Sequence, residues 1–107
     1  MDEQGFDKLA GDELKRLDQA LAAVAELEVD FNGDVITVEL PDRSTFVINS
    51  HRAARQIWLS AEMSASHYSF DPQAKCWRDT KGGEELWARV EGALGRKLSR
   101  KVSLRLS

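Results

Sequence analysis

Between Glu28 and Asp79 the chain is a series of short runs in which apolar and polar residues alternate, and the breaks between them are brief. Antiparallel strands can be joined by two residues, whereas parallel neighbours need a crossover of roughly a dozen or more. Connections this short therefore restrict the segment to an antiparallel sheet. Glu28-Val29-Asp30-Phe31 is followed by Asn32-Gly33, a pair that tolerates positive φ and predicts a type I′ hairpin. Residues 34–40 form the second run, with Val35, Thr37 and Glu39 on one side and Ile36, Val38 and Leu40 on the other. Pro41-Asp42-Arg43-Ser44 reads as a turn with Pro41 in its second position. Residues 45–49 and 56–60 make the third and fourth strands, joined by a short polar stretch. Residues 61–66 are small and polar and read as a loop. Residues 67–71 are a fifth strand with Tyr68 and Phe70 on one side. Asp71-Pro72-Gln73-Ala74-Lys75 turns the chain into a short sixth, 76–79, which Lys81-Gly82-Gly83 ends.

Helical periodicity flanks this segment. Phe6, Leu9, Ala10, Leu14, Leu17, Leu21 and Val24 recur at steps of three and four, which marks one face of a helix. Its outer side carries Asp7, Asp12, Lys15, Asp18, Gln19 and Ala22. The period returns from Glu84 with Leu86, Trp87, Val90, Ala93, Leu94 and Leu98. Glu84 and Glu85 in its first turn, and Arg96 and Lys97 in its last, complement the helix dipole. Val102, Leu104 and Leu106 alternate with Ser103 and Arg105, so the tail is either an edge strand or a segment laid over the core. The predicted fold class is α+β. It is a two-layer α-β sandwich, with two helices packed on one face of a twisted antiparallel sheet of about six strands. Residues 1–107 form a single domain.

The alternation leaves one sheet face to be explained. In residues 56–60, Ile57 and Leu59 face the core, so Gln56, Trp58 and Ser60 point the other way, towards water. Tryptophan is a common anchor of interfaces, so Trp58 marks either a binding face or an indole covered by a crossing segment.

Charge is divided unevenly. Residues 1–40 hold eleven acidic and three basic side chains, residues 41–107 seven and twelve. Opposite surfaces of this kind steer a protein towards complementary partners, or are simply solvated. The acidic set is Asp2, Glu3, Asp7, Asp12 and Asp18, then Glu26, Glu28, Asp30 and Asp34. Carboxylates along a rigid edge can hold hard cations through oxygen, weakly and unselectively; a solvated face is the alternative. Arg89, Arg96, Lys97, Arg100, Lys101 and Arg105 form a basic cluster, but the net charge is −3 and no stacking aromatics accompany it, which argues against nucleic acid.

No phosphate-binding loop, dinucleotide-type glycine motif or zinc-protease motif is present, so nothing points to a catalytic constellation. His51 and His67 read as surface polar residues. Cys76, the single cysteine, reads as a small half-buried residue; it permits no internal disulfide and suits a reducing compartment. No run approaches the ~18 apolar residues of a membrane span, and the acidic start resembles neither a signal nor a transit peptide. The expectation is a soluble cytoplasmic protein that binds no membrane.

Several of these residues together resemble a known family. Ile48-Asn49, Gln56-Ile57-Trp58-Leu59-Ser60, Tyr68-Ser69-Phe70-Asp71, Trp77, Asp79, Gly83 and Leu86 resemble the frataxin family, most closely its bacterial CyaY-type members. The likeness runs from Phe6-Asp7-Lys8-Leu9-Ala10 to Val102-Ser103-Leu104-Arg105. It implies the same α-β sandwich, weak binding of Fe2+ or Fe3+ along an acidic ridge, and a role in iron–sulfur cluster assembly. It also implies docking on the cysteine desulfurase and the iron–sulfur scaffold protein, by a protein that is mainly monomeric and not an enzyme. Carried over by position, the iron-binding residues would be Asp18, Glu26, Glu28 and Asp30, with Asp7, Asp12 and Asp34 as further members. The partner-binding patch would be Asn49, Gln56 and Trp58, with Arg52 and Arg55 beside it. Alternatives are a ferroxidase or iron-storage protein, or an interaction module with little iron binding. The chain departs from the family pattern at residues 19–25, which lack carboxylates, at Ser50 and His51 where Lys or Arg and then Gln are usual, and at Ala53, which replaces a frequent proline.

Overall fold

A computed structural model describes residues 1–104. In chain order it contains α1 (Glu3–Ala22), β1 (Glu28–Phe31), β2 (Val35–Glu39), β3 (Thr45–His51), a 3-10 turn (Arg52–Ala54), β4 (Gln56–Ala61), β5 (Ser64–Asp71), β6 (Cys76–Asp79) and α2 (Leu86–Leu98). The six strands lie side by side in sequence order and every neighbouring pair is antiparallel. Short connections produce this meander directly.

Alternation sorts the side chains of each strand between two environments. Ile36, Val38, Phe46, Ile48, Ile57, Leu59, Tyr68 and Trp77 point at the helices and are buried. Phe6, Ala10, Leu14, Leu17 and Leu21 of α1 meet them, as do Leu86, Val90, Ala93 and Leu94 of α2. Full burial of one such leucine stabilises by about 1.5–3 kcal/mol, so this apolar layer dominates the cohesion of the two layers. Trp77 is 1% exposed and packs edge-on against Phe6 (5.9 Å between centroids) and Phe70 (5.4 Å). The residues on the other side of the sheet remain half-buried or exposed, because no helix crosses them.

Turn chemistry decides several boundaries differently from the sequence pattern. Asn32-Gly33 does not form a type I′ turn, since only Gly33 has positive φ (100°). Instead Asn32 Oδ1 accepts the N–H groups of Asp34 (3.1 Å) and Val35 (2.9 Å), the side chain taking the part of a backbone carbonyl. The tight hairpin with positive φ at both central residues lies at Glu62-Met63 (54° and 63°). Residues 61–66 are therefore not a loop: Ala61 ends β4, Ser64 pairs with it, and β5 begins three residues earlier than its alternation suggests. Pro41 does occupy the second position of its turn, closed by Arg43 N–H to Leu40 O at 2.9 Å.

β3 also runs two residues beyond the expected 45–49, to His51. Helix α2 starts at Leu86 rather than Glu84. Glu85 is its N-cap and accepts the N–H groups of Trp87 and Ala88, so it acts outside the first turn. Asp2 caps α1 in the same way through Gly5 N–H at 2.7 Å. Of the two expectations for the tail, the strand does not form up to residue 104. Val102 and Leu104 lie against the core, and Glu91 accepts the Leu104 N–H at 2.7 Å. Arg105 and Leu106 lie outside the described residues. Among the described residues no helix is long and apolar enough to cross a membrane.

Candidate functional site

The open face of the sheet carries a row set by strand register: Val35 opposite Asn49, Asn49 opposite Trp58, and Trp58 opposite His67. Gln56 stands two residues from Trp58 on the same side, and its Oε1 accepts the indole N–H at 2.9 Å. Asn49, Gln56 and Trp58 are thus brought together as the sequence suggests. Trp58 is half-buried, and the cause is local. His51 stacks on one face of the indole (3.9 Å between centroids, 11° between planes) and His67 on the other (4.3 Å, 15°). What the sheet presents is a slab of three parallel rings, polar at both ends, rather than a bare indole.

The two arginines of the expected patch behave differently from the indole. Arg52 turns to α1, where its Nε donates to Asp7 at 2.9 Å and its Nη1 lies 3.9 Å from Glu3. The Asp7 carboxylate raises the pKa of its guanidinium above the ordinary value. Arg55 adopts a left-handed conformation (φ 56°) and folds back so that Nη1 donates to Arg52 O at 2.5 Å.

The acidic candidates occupy three places. Asp7, Asp12 and Asp18 stand on α1. Asp7 and Asp18 share a side of the helix but are about 16 Å apart along its axis. Asp7 is held by Arg52 and Asp12 by Lys8 at 3.6 Å. Glu28 and Asp30 lie on the edge strand β1, opposite Glu39 and Thr37, and alternation points them to the open face. Asp34 is exposed in the connection after β1. Glu26, between α1 and β1, receives two hydrogen bonds from Arg100, and these lower its pKa below the usual carboxylate value. Among the described residues no group of three Asp, Glu, His or Cys side chains is placed to hold one metal ion. The edge offers carboxylates no more than two at a time, as where Glu28 faces Glu39, which suits only weak, open contacts with a cation.

Sequence reasoning missed three features of this region. His67 comes opposite Trp58 only because β5 starts at Ser64, which the polar composition of residues 61–66 conceals. Arg100 as the partner of Glu26 has no local signal. Nor does the clamp on Glu62, whose carboxylate accepts from Arg89 Nη1 (2.8 Å) and from Arg96 Nε and Nη2 (2.8 and 2.7 Å). A cleft of about 670 Å³ also opens between the helices near Arg16, Lys75, Cys76, Trp87 and Leu104. Its two carboxylates are engaged, Glu13 by Arg16 and the Trp87 indole and Glu85 by the start of α2.

The architecture defines a class: a two-layer α-β sandwich whose helices screen one side of a six-stranded meander and leave the other free. Within that class, the chain belongs to the frataxin family, since the Frataxin-like domain matches residues 1–100. It is 32% identical to the iron-sulfur cluster assembly protein CyaY of Dechloromonas aromatica (strain RCB), over 98% of this chain and 100% of that one. It is 33% identical to the CyaY protein of Cupriavidus pinatubonensis (strain JMP 134 / LMG 1197), over 82% of each. The fold superimposes on frataxin from Psychromonas ingrahamii with a TM-score of 0.88 at 20% identity, covering 99% of this chain and 100% of that one. Trimeric frataxin from Saccharomyces cerevisiae gives 0.76 at 23% identity, over 86% and 80%.

Proposed function

We propose that this protein is an accessory and regulatory factor of iron–sulfur cluster assembly that acts by docking and is not itself an enzyme. Its partners are the cysteine desulfurase and the iron–sulfur scaffold protein, met in the cytoplasm by a monomer. Membership of the frataxin family and the names of its CyaY relatives support the pathway. The observation that carries the docking reading is the uncovered sheet face. Asn49, Gln56 and the half-buried Trp58 stand together there on a rigid antiparallel scaffold. Aromatic side chains, tryptophan above all, are enriched among interface anchors.

The acidic edge supplies the second half of the mechanism. Asp18, Glu28 and Asp30 make no ion pair among the described residues, so their charge is available to a basic partner surface or to iron. Iron binds weakly there, because the carboxylates act one or two at a time. Metal and partner therefore compete for the same groups.

Titration against the desulfurase–scaffold complex at two ionic strengths tests this. Affinity is expected to fall with salt and with the Asp18→Ala, Glu28→Ala double variant. Affinity indifferent to both would overturn electrostatic docking.

A further inference from the structure

We propose that His51 is a proton-operated latch on the connection between β3 and β4. Its neutral imidazole makes two contacts at once. Nδ1 accepts the N–H of Ala54 at 3.3 Å and so caps the 3-10 turn Arg52–Ala54, while the ring lies flat on Trp58. An acceptor at Nδ1 places the single ring proton on Nε2. A second proton has only Nδ1 to occupy. The imidazolium then holds two donors and no acceptor, so donor faces donor and the bond to Ala54 is lost.

The stack survives the same event. A half-turn of the ring about its bond to Cβ keeps its plane on the indole, and a cation over that face is attracted. Protonation thus uncaps the turn while leaving His51 on Trp58. His67 stacks on the opposite face, but its side chain makes no hydrogen bond among the described residues, so its own protonation releases nothing.

The turn that His51 caps also carries an ionic link from the sheet to α1, beside the apolar layer that holds the two together. Arg52 reaches from it to Asp7 and Glu3, and Arg55 is folded back onto the Arg52 carbonyl. Charged and titratable groups border this connection on several elements. Arg52 and Arg55 come from the turn itself, and His67 from β5 across the indole. Asp34 comes from the connection after β1, where its carbonyl accepts the Ser50 N–H at 3.0 Å, and Asp7 and Glu3 come from α1 through Arg52. Histidine is the side chain whose charge changes between pH 5 and 8. The ionic clip between this connection and α1 therefore loosens when His51 takes up its second proton. This property belongs to the free protein and goes beyond the docking reading, so either can fail without the other.

Amide NMR of the full chain between pH 8 and pH 5 tests it, with each imidazole followed through its own Cε1–H signal. The Ala54 amide proton is expected to move upfield in step with His51. Its protection factor should drop about fivefold, the worth of one ordinary hydrogen bond. In His51→Asn, which caps without titrating, Ala54 should stay protected throughout. In His67→Gln the original transition should persist. An Ala54 amide that ignores the His51 titration, follows His67 instead, or keeps its pH step in His51→Asn would overturn the proposal.

Discussion

Arg100 holds Glu26 through two parallel hydrogen bonds, Nε to Oε2 at 2.9 Å and Nη2 to Oε1 at 2.8 Å. The pair joins the stretch after α2 to the connection before β1. It also occupies a carboxylate that the family resemblance assigns to iron. An arginine fork matches both oxygens of a carboxylate at once, so a cation must displace it to bind there.

Removing that fork should expose the competition. In Arg100→Ala, Glu26 is released, and paramagnetic broadening by Mn2+ should extend to the Glu26 amide at lower metal concentration than in the wild type. Little change in thermal stability is expected, because both partners are substantially exposed. Unaltered broadening at Glu26 would show that this carboxylate takes no part in cation binding.

The Trp58 face carries a sharper expectation. Trp58→Ala should weaken binding of the desulfurase–scaffold complex by roughly 30-fold or more, on the scale of a hot-spot truncation of about 2 kcal/mol. The far-ultraviolet circular dichroism should stay as it is, since the side chain lies on the open face and outside the buried core. Calorimetric titration beside the spectrum reads both.

Glu62 makes a pH prediction. Arg96 and Arg89, bonded to its carboxylate, bring its pKa down to about 2 from the ordinary 4.5. A lowered carboxylate pKa stabilises the fold above the unfolded value, and that contribution is lost as the pH falls from about 4.5 to about 2. Glu62→Gln should lower Tm at pH 7 by about 4 °C and lose less of its stability over that acid range than the wild type. Thermal melts at pH 7, 4 and 3 measure the difference.

Met63, beside it, is strained in the same left-handed region. It sits at φ 63° with its side chain wholly in solvent, so it bears the cost of the left-handed conformation and makes no buried contact in return. Met63→Gly should stabilise the protein by about 0.5–1 kcal/mol in urea denaturation, because glycine reaches that conformation freely. By contrast Leu17→Ala, in the fully buried stripe of α1, should cost about 2–5 kcal/mol in the same experiment.

The two helices, the meander and the assignment of core residues were legible because each depends on a local repeat. Steps of three and four placed Phe6 to Leu21 on one side of α1, and alternation placed Ile57 and Leu59 inward with Trp58 outward. Where a boundary depended on a turn, the pattern misled. Asn32-Gly33 carries the stronger hairpin signature, yet the tight reversal with two positive φ values belongs to Glu62-Met63, which carries none. Pairing of β4 with β5 and the grip of Arg89 and Arg96 on Glu62 hold those residues in a conformation that their own preferences oppose.

The sequence by itself determined the two-layer sandwich and the side of the sheet on which Trp58 stands, because periodicity is a property of neighbouring residues along one chain. Tertiary structure alone decided that two imidazoles enclose the indole, that Arg52 leaves the sheet face for Asp7, and that Arg100 neutralises Glu26. Each of these is made through strand register or through the meeting of separate elements. No local preference encodes which opposite charge, or which ring, a side chain will meet once the layers close.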